Sequence, residues 1–423
     1  MTEAGAPRWP VLLTLGSLTM ANTIPRTLVA LLLPAIYRQQ GLALEWYWVF
    51  SIPLWVIPAR VLWAPLVDRY GHHRFGRRKS WILPCTVVTV LAYLALGGFE
   101  PSLGNLALII SLLVVMNVFL ATQEIAVDAY VVEALHPHER SAGATARIIA
   151  EETGQLITIA GLMVLYQFAG WQVAISAAGC LFLLLTLPAL LRPEVAVNVR
   201  SHATQASLSD FLARRENVWI VSVVGFAALA PGLASAIISP FLVDLGMNIG
   251  EIGIVLGLSS SFGPIIAGLT LAPWLMRGRS VVQAARLQLC VVAVPSVLFF
   301  WLALNNTPTA FAVGGVIFCA SLISTPALII VYTARLGWTS NQQAGTDFTI
   351  QEAIYVLFRG ILPGATAGPI AAATGWPGFF IFMGVVSLLG FGSFVFSHDA
   401  IQRRVEQRRG AQTSAPEADA GFS

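Results

Sequence analysis

The sequence predicts an all-α polytopic membrane protein, with twelve transmembrane helices in two six-helix pseudo-repeats. Three observations carry this. Only 11% of the 423 residues are charged and 57% are hydrophobic, whereas a soluble domain carries about 25% charged residues. The apolar residues fall into twelve runs near or above the ~20 residues that a helix needs to cross the hydrocarbon core. The Arg and Lys residues that lie between runs concentrate in alternate loops, as membrane orientation requires. A strand reading fails, because the runs are too long and lack period-two alternation.

In chain order the runs cover 9–36, 46–66, 80–99, 106–132, 144–168 and 173–191, then 218–242, 252–276, 281–304, 309–334, 348–373 and 378–396. The first is too long for a signal-peptide core and lacks a clear cleavage site. The segment 192–217 is the longest internal polar stretch. It divides a six-helix bundle at 1–191 from a second at 218–397. The tail 398–423, polar and small-residue-rich after Gly410, is expected to be disordered. With the N-terminus inside, the inner loops hold Arg69, Arg74, Arg77, Arg78, Lys79, Arg140, Arg192, Arg200, Arg214, Arg215, Arg277, Arg279 and Arg335, and the outer loops hold little beyond Arg38. Both termini are therefore expected on the cytoplasmic side of the cell inner membrane. A faint repeat joins the halves: Gly170-Trp171 follows the fifth run and Gly375-Trp376 the eleventh. Duplicated halves around a central cavity would produce it.

Several features have plain structural readings. Cys85, Cys180, Cys290 and Cys319 sit in apolar runs without metal spacing and read as packing residues. Trp46, Trp48 and Trp219 read as interface-belt residues. Prolines inside runs, among them Pro25, Pro53, Pro58, Pro231 and Pro363, permit kinks. No nucleotide-binding loop, haem-ligand pair or hydrolase motif is evident, so neither an enzyme nor a cofactor is expected.

The loop after the second run reads Ala64-Pro-Leu-Val-Asp68-Arg69-Tyr-Gly71, then Gly76-Arg77-Arg78-Lys79. It resembles the signature loop of the major facilitator superfamily, with Ala64 at the usual Gly and five residues interposed before the Arg pair. The resemblance implies a cytoplasmic gate built from Asp68, Arg69, Arg77 and Arg78, with Arg140 on the neighbouring inner loop. A topogenic positive patch is the plainer alternative. Two further stretches, Arg60-Val-Leu-Trp-Ala-Pro-Leu-Val-Asp68 and Ala121-Thr-Gln-Glu-Ile-Ala-Val-Asp-Ala-Tyr130, are similar to segments of AmpG-like permeases. In that group Asp is usual where Glu124 stands, and Gln-Gly is common where Asn22-Thr23 stand. The group includes muropeptide permeases, siderophore permeases of the RhtX/FptX type and acetyl-CoA transporters. The twelve-span length and the Trp-Ala-Pro-Leu-Val-Asp-Arg-Tyr-Gly stretch favour the siderophore branch.

The charged residues inside the runs carry the functional reading, because a charge at mid-bilayer costs about 2.5–3.5 kcal/mol on insertion scales. Glu124 and Asp128 are one helical turn apart and share a face. Arg60 on the second run and Arg147 on the fifth are available as cations, and Arg147 is one turn from Glu151. Glu124, Asp128, Arg147, Glu151 and Glu152 are therefore the candidates for proton coupling, the alternative being a static ion network. Asn22, Arg26, Arg60, Gln123, Gln155, Glu352 and Arg359 are the candidates to line a substrate cavity. Arg26, beside Pro25 and without an acidic neighbour in sequence, either meets an anionic ligand or pairs with a carboxylate from another helix. Glu352 and Arg359 each face the cavity in this reading, and Arg286 snorkels.

The function expected from these features is proton-coupled import of a bulky polar solute by a monomeric carrier. A siderophore or its iron complex comes first, a cell-wall muropeptide second, and a non-transporting membrane assembly factor is the alternative of another class. The partners are a small-molecule substrate, a proton and the lipid bilayer, and no nucleic acid or metal.

Overall fold

The computed structural model describes residues 9–70, 79–134, 140–191, 215–305, 308–338 and 344–413. Every one of the twelve apolar runs is helical, and no strand occurs among the described residues. Helices α1 (Trp9–Thr27) and α2 (Leu33–Gln39) form the first run, joined by a π-helical turn at Leu28–Leu32. The second run is broken into a 3-10 stretch Leu44–Trp55, α3 (Val56–Ala59), a 3-10 turn Arg60–Leu62 and α4 (Ala64–Arg69). Pro53 and Pro58 remove two backbone donors here, so tighter i→i+3 bonding takes over. Next come α5 (Lys79–Gly97), α6 (Leu106–Ala134), α7 (Arg140–Leu156), a π turn Ile157–Leu162 and α8 (Met163–Leu191).

The second half begins with α9 (Arg215–Asp244) and α10 (Ile249–Leu269). The start of α10 is fixed by a capping box between Asn248 and Glu251. Helices α11 (Leu271–Met276), α12 (Val281–Leu289), α13 (Val294–Leu304), α14 (Ala310–Trp338) and α15 (Ala344–Val356) follow, then a π turn Leu357–Ile361 and α16 (Leu362–Thr413).

Among the described residues, nine helical stretches are long and apolar enough to cross a membrane. Two of them, Ile149–Leu191 and Ile350–Gln407, each contain two of the sequence runs. The runs meet at a bend made by one glycine, Gly170 (φ 80°) in the first and Gly375 (φ 68°) in the second. These are left-handed backbone conformations that glycine adopts without a Cβ penalty. The second run is missing from the nine because its helix is broken. The faint sequence repeat thus corresponds to a repeated structure: a π turn, a helix, a glycine bend and a tryptophan. Trp171 donates its indole N–H to the Leu96 carbonyl at 2.8 Å, and Trp376 donates to Asp244 Oδ2 at 2.9 Å.

The start of the tail, up to Thr413, departs from expectation. Helix α16 continues to Thr413, and Ile401 and Val405 are fully buried in a cluster with Trp338 and Phe394. Trp338 also donates to Gln402 Oε1 at 3.1 Å. The polar composition hid two apolar positions, four residues apart, that give this stretch one buried face.

The halves meet where the first and seventh runs end. Arg38 clamps Asp244 with two parallel bonds, Nε to Oδ1 at 2.6 Å and Nη2 to Oδ2 at 2.7 Å. Arg38 also donates to the Leu42 carbonyl, and Asp244 accepts from Trp376. The α2 end, the α9 end and the glycine bend of α16 are thereby tied together.

Candidate functional site

A cavity of about 410 Å³ lies between the halves. From the first half it is lined by Arg26, Thr27, Leu54, Glu151, Glu152 and Gln155, and from the second by Ser235, Ser260, Phe299, Ser324, Thr325 and Arg359. All three π-helical turns contribute to its wall, through Ala30 and Leu31, Ile159, and Arg359. Such turns are rare and concentrate at functional sites. The last one packs tightly: a Cβ on Gly232 of α9 would collide with the Arg359 carbonyl. The hydroxyls on the wall are partly committed. Ser235 donates to the Pro231 carbonyl, Ser260 to Leu256 and Thr325 to Ser321. Their protons are used within the helix, so their oxygens are left as acceptors toward the cavity.

Beside this cavity stands the densest buried charge. Glu124 on α6 is 6% exposed, and its Oε2 receives Nη2 of Arg26 and Nη1 of Arg60, both at 2.5 Å. Arg26 therefore meets a carboxylate from another helix, the second of its two sequence readings. Trp63, three residues after Arg60, donates to Thr122 Oγ1 at 3.0 Å and fixes the broken second run against α6. A space of about 20 Å³ separates this cluster from the cavity, lined by Asn22, Thr23, Arg26, Glu124, Arg147 and Glu151. That is room for about one water. Thr23, Arg26 and Glu151 belong to both linings, so one water-sized step connects Glu124 with the main cavity. Asn22 Oδ1 is buried without a hydrogen-bond partner among the described residues.

Four expected cavity residues are absent from its lining: Asn22 lines the small space, Arg60 pairs with Glu124, and Gln123 and Glu352 lie elsewhere. Gln123 is fully buried and donates to Thr86 Oγ1 on α5 at 3.1 Å. It is rotated ~100° from Glu124 about α6, which turns it to the neighbouring helix. Glu352 pairs with Arg335 Nη2 at 2.6 Å and is absent from the lining. Of the Glu352 and Arg359 pair, only Arg359 lines the cavity. Gln155, Glu151 and Glu152 all do, and Arg147 lines the small space. Arg286 meets Asp399 at 3.3 Å with both side chains exposed. Asp68, Arg69, Asp128 and Arg140 fall on α4, α6 and α7, but their side chains lie outside the described residues. Arg77 and Arg78 lie wholly outside them.

Sequence reasoning missed three participants. Arg335, assigned to a loop, is 1% exposed inside α14. Tyr355 has the Arg335 guanidinium 4.8 Å from its ring centroid, and its hydroxyl accepts from Arg359 Nη1 at 3.1 Å. Asp244 holds the clamp to Arg38. Lone charges at the ends of the first and seventh runs were the available signal for that clamp. An aromatic one turn from Arg359 was the signal for Tyr355.

The fold, the central cavity and the charges inside spans are those of a carrier. A family model described as Major Facilitator Superfamily matches residues 15–335. The chain belongs to the major facilitator superfamily. It is 27% identical over 390 residues to the anhydromuropeptide permease of Escherichia coli K12, covering 89% of this chain and 77% of that protein. It is 24% identical over 392 residues to a protein named putative transporter AmpG 4 of Rickettsia felis, covering 88% and 92% respectively. These relatives are in keeping with the resemblance to AmpG-like permeases. Among solved structures it resembles a bacterial homologue of the human lysosomal transporter Spinster, with TM-score 0.66, 14% identity and coverage of 95% of this chain and 96% of the other. It also resembles a point mutant of the nucleoside transporter NupG, with TM-score 0.66, 14% identity and coverage of 92% and 99%. At that identity the structures show the fold alone. The protein is a multi-pass membrane transporter of this superfamily, and not an enzyme.

Proposed function

We propose that this transporter moves a muropeptide-class solute across the cell inner membrane by alternating access, driven by protons. The observation that carries the reading is the similarity to the anhydromuropeptide permease over 89% of the chain. It reverses the order of the sequence reading, in which a siderophore came first on the strength of span number and one stretch of the second run. The cavity fits a polar solute, since both charge signs and several acceptor hydroxyls line it.

In this reading the solute binds between Arg26, Gln155 and Arg359, and the coupling carboxylates are drawn from Glu124, Glu151 and Glu152 with Arg147 and Asp128 nearby. Asp68, Arg69, Arg77, Arg78 and Arg140 form the cytoplasmic gate, both termini are cytoplasmic, and the carrier works as a monomer. Reporter fusions after Glu100 and Asn306 then report the outer face, and a cytoplasmic signal at either overturns the orientation.

The deciding experiment is uptake into proteoliposomes under an imposed ΔpH, with a labelled anhydro-sugar muropeptide and a ferric siderophore run in parallel. The expected result is protonophore-sensitive accumulation of the muropeptide only. Accumulation of the siderophore alone restores the first sequence reading. Movement of neither supports the assembly-factor class.

A further inference from the structure

The cavity's charges are segregated by half. Glu151 and Glu152 come from α7, and Arg359 from the π turn before α16. Among the described residues none of the three makes an ion pair, although Arg359 feels both carboxylates electrostatically. Arg26, the other cation on the wall, is already committed to Glu124. The free cation and the free anions therefore belong to opposite halves.

Arg359 is held for a purpose other than pairing. Its Nη1 donates to Tyr355 Oη at 3.1 Å, and the Tyr355 ring rests against Arg335 at 4.8 Å. Arg335 in turn is neutralised by Glu352 at 2.6 Å. One of the five guanidinium N–H groups of Arg359 is used to fix its position, and the others remain for a planar acceptor such as a carboxylate. The π turn that places it is pressed against Gly232, so the backbone is fixed as well. Charges kept in a membrane interior without a direct ion pair are costly, and a ligand that pairs with them offsets that cost.

We propose that the cavity takes a dipolar segment of the solute, its ammonium group on Glu151 and Glu152 of the first half and its carboxylate on Arg359 of the second. This rests on the muropeptide reading and sharpens it to the part of the molecule that is read. The volume of about 410 Å³ stands near the lower end of the ~300–1,000 Å³ range of small-molecule sites. It suits the charged peptide portion rather than a whole sugar–peptide. Acceptor oxygens of Ser235, Ser260 and Thr325 take the amide N–H groups between the two charged ends. A ligand that bridges the halves favours the arrangement in which they are drawn together around it, so binding is tied to the rocking motion that carries the solute across.

The test is binding by titration calorimetry to the purified full-length protein in lipid nanodiscs. Two scaffolds are used, a sugar–peptide of the muropeptide type and its peptide alone. Each is offered unmodified, acetylated on every amine, and amidated on every carboxylate. Each masking is expected to weaken binding to the wild type about tenfold or more, the worth of one charge-assisted hydrogen-bonded contact. The Glu151→Gln/Glu152→Gln double variant loses discrimination against the acetylated form only. Arg359→Gln loses discrimination against the amidated form only, and Arg359→Lys restores part of it.

Masked and unmasked ligands binding within about threefold of each other overturns the inference. So does a uniform loss across all three forms in each variant, because that is the signature of a structural role. If the peptide alone shows the pattern and the sugar–peptide does not bind, the inference stands and the muropeptide reading falls. If the sugar–peptide binds regardless of masking, the reading stands and the inference falls. Binding of neither scaffold removes both.

Discussion

The two halves bury charge in opposite ways. In the first half the hidden group is a carboxylate, Glu124 at 6% exposure, held between two guanidiniums that are each more than a quarter exposed. In the second half the hidden group is a guanidinium, Arg335 at 1%, and its partner Glu352 is 45% exposed. The first arrangement is redundant in its cations and unique in its anion. The second sets one buried guanidinium against Glu352, with the Tyr355 ring beside it. The contrast shows which group of each cluster the fold depends on. It is the one whose loss strands a buried charge, because stranding costs more than the pair itself contributes.

The largest effect is therefore expected at Glu124. Glu124→Leu leaves Arg26 and Arg60 facing one another without their common acceptor, and should cost about 3–5 kcal/mol, the range for breaking a buried pair. Thermal unfolding in detergent by intrinsic fluorescence checks this. Arg60→Met is the control, since Arg26 still satisfies Glu124. A loss equal to that of Glu124→Leu would break the redundancy argument. Glu352→Gln comes second. It takes the Glu352 charge away from Arg335, and the half-exposed position lets water and the Tyr355 ring compensate, so the same assay should show about 1–2 kcal/mol. Adding Tyr355→Leu to Glu352→Gln should then cost more than the sum of the two single changes, if the ring is a real substitute.

How much of this was legible before the structure follows from the same contrast. The spans and their division into halves were readable, because the bilayer forces length and polarity on each run. The Gly-Trp repeat was readable and turned out to be a shared bend, since a positive φ constrains the residue type. Arg26, Arg60 and Glu124 were each visible as misplaced charges, and Arg60 was named as a cation available to Glu124, but that Arg26 meets the same carboxylate was left open, because the cluster joins three separate runs. Gln123 was misread because helix phase relative to the cavity is set by packing and not by spacing. Arg335 was misread because basic residues at span ends serve orientation as readily as buried pairing. The stretch 398–413 was misread because two apolar residues on one face, Ile401 and Val405, outweigh a polar average.

The inter-half clamp is where the smaller effects begin. Arg38 and Asp244 are each close to a quarter exposed, so Asp244→Asn should lower stability by about 0.5–1 kcal/mol at most. Its larger consequence is on the balance between conformations, because the clamp, together with the Trp376 bond, ties the ends of both halves. Labelling of a cysteine placed at Leu31, on the cavity wall, by a membrane-impermeant reagent from the side of the clamp should speed up in Asp244→Asn. An unchanged labelling rate would mean that the clamp only decorates a contact made by packing.

The smallest effect on stability, and the most informative for mechanism, is expected at Glu152. A coupling proton needs a carboxylate that can gain and lose its charge in every cycle without dismantling the helix contacts around it. Glu124 is poorly placed for this, because its Oε2 holds two guanidiniums at 2.5 Å and neutralising it releases both. Glu152 lines the cavity together with Arg359 and makes no ion pair among the described residues. Glu152→Gln should therefore unfold within about 0.5 kcal/mol of the wild type, as substitutions away from buried networks do. It should continue solute counterflow at saturating concentration, with Glu151 still present. It should lose uphill accumulation driven by ΔpH in proteoliposomes. Glu124→Gln in the same assay should lose stability first, and should lose counterflow and accumulation together. The reverse outcome, accumulation kept by Glu152→Gln and abolished by a stable, exchange-competent Glu124→Gln, would assign the coupling role to Glu124. Asp128→Asn would then shift the pH dependence of uptake, as the pair of carboxylates one turn apart on α6 implies.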